Sequence, residues 1–373
     1  MRGDVLSLIP VSILTGFLGS GKTTLLRHLL SCPELSDTAV IVNEFGEVGL
    51  DHVLVADSEE KIVELNSGCL CCTVRWDLVT TLDDLFTKRE NGEVAAFSRV
   101  VIETTGLADP APVLHTLMND PKLAARFRLD GVITVIDGVN GLATLDRHEE
   151  AVKQAAVADR LVITKCDLPE AACAALEARL TSLNPGAQRQ RAIMGEIAPD
   201  DLFGAGFYAL EARGEDVRRW LQEEAYRTAH DHGHGDHEHG GHGPGGHGHD
   251  VNRHDDRIRA FSIVREEPVS GAGFSLFLEL LMANRGPDVL RVKGIVNIEE
   301  KPEKPAVIHG VQHLFHPVVW MEAWPDEDRS TRLVFITRDV SQQWIEKLLD
   351  SLTGPREASE QAGASQTADK AGQ

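Results

Sequence analysis

The feature that most constrains this chain is a glycine-rich stretch with the sequence Gly16-Phe17-Leu18-Gly19-Ser20-Gly21-Lys22-Thr23. The apolar, β-branched run 11–15 before it predicts a buried strand, and residues 24–30 after it carry apolar side chains at helical spacing. A glycine loop between a strand and a helix is the setting of the P-loop pattern. Its backbone N–H groups turn inward around phosphate oxygens, and the helix N-terminus adds partial positive charge. The stretch therefore predicts a phosphate-binding loop.

Individual residues of this loop have expected roles. Lys22 should reach the β- and γ-phosphates, and the hydroxyl of Thr23 should bind Mg²⁺. The alternative is a chance glycine-rich turn. It is disfavoured because Lys22-Thr23 stands where the P-loop pattern requires it and because a strand and a helix are predicted on either side. The remaining loop residues expected to contact the nucleotide are Gly16, Gly19, Ser20, Gly21 and Thr24.

Composition limits the class of protein. With 373 residues, the chain is long enough for one large or two ordinary domains. Its net charge of -21 argues against nucleic acid or an anionic membrane as the main partner, because both need a basic face. No apolar run approaches the ~20 residues that span a bilayer, and the N-terminal apolar stretch is the first strand rather than a signal peptide. We expect a cytoplasmic protein in which thiols stay reduced.

The first part of the chain alternates strand and helix patterns. This order predicts an α/β fold of the P-loop NTPase type, a mostly parallel sheet with helices on both faces. The polar motifs follow strand C-termini, where such sheets bind ligands. The expected strands are 11–15, 38–42, 61–65, 99–102, 131–136 and 160–163, and the expected helices are 77–89, 149–158 and 169–183.

The second part has a different pattern. Residues 230–254 hold nine of the 16 histidines and little that is apolar, so they cannot form a core. We expect four segments: a P-loop GTPase domain at 1–228, a His-rich flexible linker at 229–256, a small α+β domain at 257–353 and a disordered tail at 354–373. Within the small domain we expect strands at 258–264, 288–298, 306–314 and 332–337, and helices at 270–285 and 341–352.

A second motif indicates which nucleotide binds. Thr164-Lys165-Cys166-Asp167 follows a predicted strand, where GTP-binding proteins commonly carry Asn-Lys-X-Asp. The carboxylate of Asp167 would accept the guanine N1 and N2 protons, and the Lys165 stem would pack on the base. Adenine lacks the N1 proton, so GTP is favoured. The alternative is an ordinary strand-to-helix loop with surface charges.

Three further residues are candidates for the hydrolytic site. Glu103 ends the strand expected beside the P-loop strand, where a carboxylate can hold a water bound to Mg²⁺. Gly106 could bring its N–H group to the γ-phosphate. Asp51 lies in an acidic, glycine-punctuated loop at 43–51 and is a candidate switch carboxylate.

The segment Cys69-Leu70-Cys71-Cys72 predicts a metal site. Thiolates bind Zn²⁺, and a stable structural site needs four ligands, so three thiols form an incomplete site. An incomplete site suits a metal that is handed on. Glu44 and Glu47 are candidate additional ligands. The alternatives are buried structural cysteines or a redox pair.

These loops lie between the P-loop and Glu103 in sequence, where switch segments occur in nucleotide hydrolases. If they order around the γ-phosphate, metal geometry would depend on nucleotide state. The His-rich tract could gather Zn²⁺, Ni²⁺, Co²⁺ or Cu²⁺, since neutral imidazole suits these ions. Its alternative is a solvated linker without function.

Taken together, five segments resemble the CobW-type subgroup of the G3E GTPases, which is related to the nickel-insertion GTPases of urease and hydrogenase. The resemblance extends from about residue 11 to 352 and includes the C-terminal domain. Some relatives carry an acidic residue where this chain has Val42. The five segments are 16–24, 43–51, 68–74, 103–110 and 164–167.

The resemblance implies slow GTP hydrolysis and transfer of Zn²⁺ or Co²⁺ to a client metalloprotein that no motif identifies. It also implies that Cys69, Cys71 and Cys72 bind the transferred metal, with Glu47 as an additional ligand. Related GTPases often dimerise across the nucleotide face, and the sequence leaves that open. The alternatives are a cobalt chaperone for cobalamin synthesis, a zinc buffer with GTP as regulator, and a thiol redox sensor.

Overall fold

The computed structural model describes residues 8–42, 62–64, 73–204 and 257–354. Within these ranges the elements are numbered in chain order. The helices of the first part are α1 Lys22–Ser31, α2 Thr73–Glu90, α3 Ala111–Asn119, α4 Pro121–Ala124, α5 Gly141–Arg147, α6 Glu149–Ala156, α7 Cys173–Leu183 and α8 Pro199–Leu202. Its strands are β1 Ile9–Thr15, β2 Thr38–Val42, β3 Ile62–Glu64, β4 Arg99–Glu103, β5 Phe127–Asp137, β6 Arg160–Thr164 and β7 Gln188–Ala192.

These seven strands form one parallel sheet in the order β3-β2-β4-β1-β5-β6-β7. Alternate residues of β1 face opposite sides of the sheet. Ile13 packs in a cluster with residues of α2 and α3, whereas Leu14 packs with Leu25 and Leu29 of α1. Helices therefore cover both faces, and the predicted fold class is confirmed.

The sheet aligns the ends of its strands. Leu14 pairs with Glu103 across β1 and β4, and Asp137 pairs with Thr164 across β5 and β6. Val42 is in register with both Glu103 and Glu64. Because all strands run in one direction, the polar residues that follow them lie along one edge of the sheet.

The second part forms an antiparallel sheet in the order β11-β10-β9-β13-β8, with β12 paired to β10. One face of this sheet carries two helices, and Phe261 and Phe335 stack beneath them at 5.6 Å. This is the expected α+β arrangement. The elements are β8 Ile258–Arg265, α9 Gly271–Arg285, β9 Val289–Val296, β10 Ala306–Val311, β11 Leu314–Phe315, β12 Val319–Trp320, β13 Thr331–Arg338 and α10 Gln342–Thr353.

The other face of the second sheet packs on the first part, where Leu290, Val334 and Ile336 cluster with Ala156 of α6. A buried ionic cluster lies beside this contact. The Asp159 carboxylate bonds the Arg291 guanidinium and receives a 2.6 Å hydrogen bond from Lys293 Nζ. The two sheets are thus joined by apolar packing and by buried charge.

Several element boundaries differ from the sequence-based expectations. Strand β5 begins at Phe127 rather than at residue 131, because buried Asp130 interrupts the apolar pattern while accepting a hydrogen bond from the Ser12 hydroxyl. The strand expected at 306–314 is a hairpin, since Gln312 has φ +53° and lets Val311 pair with Leu314. Helix α7 begins at Cys173 rather than at residue 169, because the N–H of Ala172 bonds the carbonyl of Gly138.

Cysteine pairing also differs from expectation. We expected reduced thiols, yet Cys166 and Cys173 are joined by a disulfide. Among the described residues, Cys32 is the free cysteine. In the same ranges, no helix is both long and apolar enough to cross a membrane. The predicted His-rich linker and C-terminal tail lie outside the described residues, apart from Gly354, and the predicted domain boundaries stay predictions.

Candidate nucleotide-binding site

The P-loop has the backbone that its glycines predict. Gly16, Gly19 and Gly21 have φ values of 143°, 73° and 96°. Residues other than glycine rarely adopt this backbone conformation. Gly21 caps α1 without a side-chain hydrogen bond, and no acidic residue occupies the first turn. The helix N-terminus is therefore suited to an anion.

The lysine of the motif folds back over this loop. Lys22 Nζ donates to the carbonyl oxygens of Gly16 at 2.8 Å and Phe17 at 3.2 Å, and the residue is only 8% exposed. Ser20 is also buried, and its Oγ has no hydrogen-bond partner among the described residues. Thr24, in contrast, is exposed in the first turn of α1.

The two predicted magnesium residues lie together. The Thr23 hydroxyl donates a 3.2 Å hydrogen bond to Glu103 Oε1. Glu103 ends β4, and Thr23 is the second residue of α1, so a strand end and a helix start deliver these oxygens. Mg²⁺ prefers oxygen ligands such as hydroxyl and carboxylate oxygens. The chemistry of this pair therefore fits the ion.

The chain after β4 lies against the P-loop. A Cβ atom at Gly106 would come within 2.7 Å of the Leu18 backbone nitrogen, so only glycine fits there. The Gln154 amide of α6 donates to the carbonyl oxygens of Gly106 and Ala108 at 3.2 and 3.0 Å. This segment is thus fixed on one side by the P-loop and on the other by α6.

The Thr164–Asp167 loop also contacts the P-loop. The Thr164 hydroxyl donates to the Ser20 carbonyl at 2.6 Å, and Lys165 Nζ donates to the Gly19 carbonyl at 2.8 Å. Asp167 is exposed at the surface beside them. The structure therefore brings the two sequence motifs together, with the carboxylate of Asp167 accessible to a ligand.

Asp137 is a site residue that the sequence analysis did not assign. Its carboxylate accepts a 2.7 Å hydrogen bond from Lys165 and further bonds from the N–H groups of Val139 and Asn140. Burial alone would raise the pKa of Asp137, but the bonds from Lys165 and Asn140 outweigh it and hold the pKa below its usual value. Its position at the end of an apolar strand, like that of Glu103, was the available signal.

Gln154 was also missed, and no local pattern could have found it. It lies on α6, 48 residues from Gly106 in sequence. Asp109, a little further along the same segment, accepts a 2.9 Å hydrogen bond from Gln312 of the second part. Both contacts arise only when distant elements pack together.

The predicted cargo-metal site cannot be placed by the described residues. Within those residues, no group of three or more His, Cys, Asp or Glu side chains could hold a metal ion. The predicted residues that lie outside the described ranges are Glu44, Glu47, Asp51, Cys69, Cys71 and Cys72.

Comparisons with known proteins match nearly the whole chain. A family model described as CobW/HypB/UreG, nucleotide-binding domain, matches residues 10–191. A second, described as cobalamin synthesis protein cobW C-terminal domain, matches residues 258–353. The zinc chaperone YjiA of Escherichia coli is 33% identical over 337 residues, which cover 90% of this chain and 96% of the relative.

Two further relatives extend this picture. The zinc chaperone CobW of Pseudomonas aeruginosa is 32% identical over 373 residues, covering 91% of this chain and 90% of the relative. The crystal structure of Zn(II)-bound YjiA GTPase from E. coli has a TM-score of 0.63 at 26% identity, covering 92% of this chain and 99% of that one.

Proposed function

Because this chain belongs to the CobW/HypB/UreG family of nucleotide-binding proteins, as the resemblance predicted, we propose that it is a GTP-hydrolysing metallochaperone that carries Zn²⁺. The observation that carries the proposal is the 2.6 Å hydrogen bond from Thr164 to the Ser20 carbonyl. That bond joins the P-loop to the Thr164–Asp167 loop, so one nucleotide can contact both loops. The zinc assignment rests on the relatives, which are named zinc chaperones.

The base is recognised by the Thr164–Asp167 loop. The exposed Asp167 carboxylate accepts the two guanine protons, and the Lys165 stem lies along the base while its ammonium bonds the Gly19 carbonyl at 2.8 Å. A carboxylate discriminates strongly here, because adenine would leave it without a donor. GTP is therefore favoured over ATP.

The phosphates are held by the P-loop backbone and Lys22. On nucleotide binding, the Lys22 ammonium exchanges its two loop carbonyls for phosphate oxygens. Thr23 and Glu103 would hold Mg²⁺, which supplies neutralisation of phosphate charge. We also propose that Asp51 orders near this pair and that intrinsic turnover is slow, so that metal or a partner accelerates it.

Zn²⁺ is the cargo, and we propose that Cys69, Cys71 and Cys72 bind it, with Glu47 and Glu44 as additional ligands. Support comes from the strands that flank these residues in sequence. β2 ends at Val42, β3 ends at Glu64, and both ends are aligned with Glu103 of the magnesium pair. The cysteines then occupy the short stretch between β3 and the start of α2 at Thr73.

The positions of these strand ends would allow the bound nucleotide to affect the metal ligands. Strand β2 ends at Val42 directly beside Glu103, and β3 ends at Glu64 one strand further out. Segments that order around the γ-phosphate there would change the geometry of the thiolates. We propose that Zn²⁺ is held in one nucleotide state and released to a client metalloprotein in the other, in the cytoplasm.

The proposal is tested by titrating the full-length protein with Zn²⁺ against a competing chelator, with a non-hydrolysable GTP analogue plus Mg²⁺ and with GDP. The double variant Cys71→Ser, Cys72→Ser removes two ligands, and Cys32→Ser serves as the matched control outside the cluster. We expect affinities that differ between nucleotide states in the wild type and in the control. The double variant should lose that difference.

Equal Zn²⁺ affinity in both nucleotide states would reject nucleotide gating. A nucleotide-dependent difference that survives in the double variant would reject the cysteine cluster as the site. The same titration with Co²⁺ tests the choice of metal, because the carried ion should show the larger nucleotide dependence.

A further inference from the structure

A disulfide joins Cys166 of the Thr164–Asp167 loop, which we propose recognises guanine, to Cys173 at the start of α7. We propose that this pair is a reversible redox modification site whose oxidation slows the release of guanine nucleotide. The inference rests on the proposed binding of guanine by Asp167 and adds regulation by small-molecule disulfides to that site.

The position of Cys166 links it to the nucleotide contacts on both sides. The two residues before it, Thr164 and Lys165, bond the carbonyl oxygens of Ser20 and Gly19 in the P-loop. The residue after it is Asp167, which is exposed. A bond at Cys166 is therefore adjacent in sequence both to the residues that contact the P-loop and to the carboxylate proposed to bind the base.

Cys173 supplies a fixed anchor. It is the first residue of α7, whose Leu176 and Leu180 are completely buried in the core. The N–H of Ala172 bonds the Gly138 carbonyl at 3.0 Å, which holds the start of the helix in place. The disulfide thus ties the Thr164–Asp167 loop to a helix that is packed into the core.

The geometry permits the bond without rearrangement. The two Cα atoms are 6.1 Å apart, within the range usual for disulfides. In the cytosolic compartment that we expect for this chain, disulfides are usually transient and catalytic or redox-sensing. A pair placed at a ligand-recognition loop fits that use better than a permanent structural link.

Exposure sets the order of the chemical steps. Cys166 is partly exposed, whereas Cys173 is 8% exposed. The Cys166 thiolate therefore attacks a small-molecule disulfide first, forming a mixed disulfide and expelling one thiolate. The Cys173 thiolate then attacks the Cys166 sulfur and expels the second. The protein pair loses two electrons and two protons, and the small disulfide becomes two thiols.

Oxidation should act on the dissociation rate. In the reduced protein, the loop is held by hydrogen bonds that can open with the nucleotide. In the oxidised protein, the loop stays in the arrangement that contacts the P-loop. Since affinity differences within one binding site lie mostly in dissociation rates, we expect release roughly fivefold slower in the oxidised form.

The experiment uses the full-length protein equilibrated in oxidised and reduced glutathione buffers. Alkylation and peptide mass spectrometry quantify the Cys166–Cys173 bond, and a chase with unlabelled GDP measures release of a fluorescent GDP analogue. The wild type should release the analogue more slowly when oxidised. Cys173→Ala should show no redox dependence, while Cys32→Ser should behave as the wild type.

Oxidation at the Cys69–Cys72 cluster would affect the wild type and Cys173→Ala alike, so the comparison isolates this pair. Failure of the disulfide to form in the oxidised buffer, or equal or faster release once it has formed, would overturn the inference. If neither form binds the analogue, the proposed function fails instead. In that case hydrogen exchange across residues 164–173 tests the redox site separately. Unchanged protection of these residues on oxidation would reject it.

Discussion

The Thr23 hydroxyl donates a 3.2 Å hydrogen bond to the carboxylate of Glu103, joining the first turn of α1 to the end of β4. The two residues are 80 positions apart in sequence. Parallel pairing of β1 with β4, which places Leu14 opposite Glu103, brings them together. The contact places two oxygen atoms that can bind a metal ion beside the P-loop.

Replacing Glu103 with Gln should weaken the Mg²⁺ dependence of GTP binding. The amide oxygen keeps an acceptor for Thr23, but the negative charge that favours a divalent cation is lost. We expect the Mg²⁺ concentration for half-maximal binding of a GTP analogue to rise roughly tenfold or more, since bonds to charged groups contribute about 1.5–3 kcal/mol. Glu34→Gln, at an exposed position, is the control and should leave the titration unchanged.

Replacing Gly106 with Ala should impair binding of GTP more than binding of GDP. The added Cβ would lie 2.7 Å from the Leu18 nitrogen, so the segment after β4 must move away from the P-loop. Calorimetric titration of both nucleotides checks the difference. Gly92→Ala controls for backbone strain without a clash, since Gly92 has φ +72° but a Cβ added there would meet no atom within 4 Å. Equal losses for both nucleotides would argue against a γ-phosphate contact at Gly106.

Replacing Asp167 with Ala should lower GTP affinity by roughly 10- to 150-fold, the range expected when a charged hydrogen-bond acceptor is removed. Discrimination against ATP should fall by a similar factor, because ATP makes no use of this carboxylate. Competition of GTP and ATP for a fluorescent nucleotide measures both effects. The exposed neighbour Glu170→Ala controls for loss of surface charge. Unchanged discrimination would remove Asp167 from the recognition site.

Replacing Asp159 with Asn should destabilise the protein by about 3–5 kcal/mol, because it leaves the buried Arg291 and Lys293 without their counter-charge. Burial tends to raise the pKa of Asp159, but these two cations outweigh it and keep the pKa well below the usual value. Denaturant unfolding measures the change. Asp339→Asn breaks a half-exposed pair with Arg257 and should change the free energy of unfolding far less, because solvent screens exposed ion pairs.

Mild acid should weaken the second part of the chain through buried histidines. Burial lowers the pKa of His316 to about 4, and burial followed by the charge of Arg291 lowers the pKa of His309. A folded-state pKa below the unfolded value of 6.5 means that the unfolded chain binds more protons. Stability is therefore lost as the pH falls from 6.5 towards 4, by on the order of 3 kcal/mol for His316.

Urea unfolding at pH 7, 6 and 5 checks this expectation. His316→Asn should flatten the pH dependence, because the titrating group that the folded state keeps neutral is removed. An identical slope in the variant and the wild type would show that other groups cause the acid sensitivity.

Much of the fold could be predicted from local sequence pattern. Buried strands such as Thr38–Val42 are continuous apolar runs, and residues such as Glu103 and Thr164 follow them directly. The edge strand Gln188–Ala192 was missed because its partly exposed Arg and Gln residues do not form such a run. The short helix Gly141–Arg147 was also missed, since it buries only Gly141 and Leu145.

The sequence by itself determined the P-loop, the order of the strands with strong apolar runs and the identity of the chemical groups, because periodicity and motif spacing are local properties. Only the tertiary structure decided which groups meet. Asp159 contacts Arg291 from 132 positions away, and Gln154 holds the carbonyl of Gly106. The Cys166–Cys173 bond likewise depends on where α7 begins, which a backbone contact with Gly138 decides. Such pairings follow from packing between elements, and no local pattern encodes them.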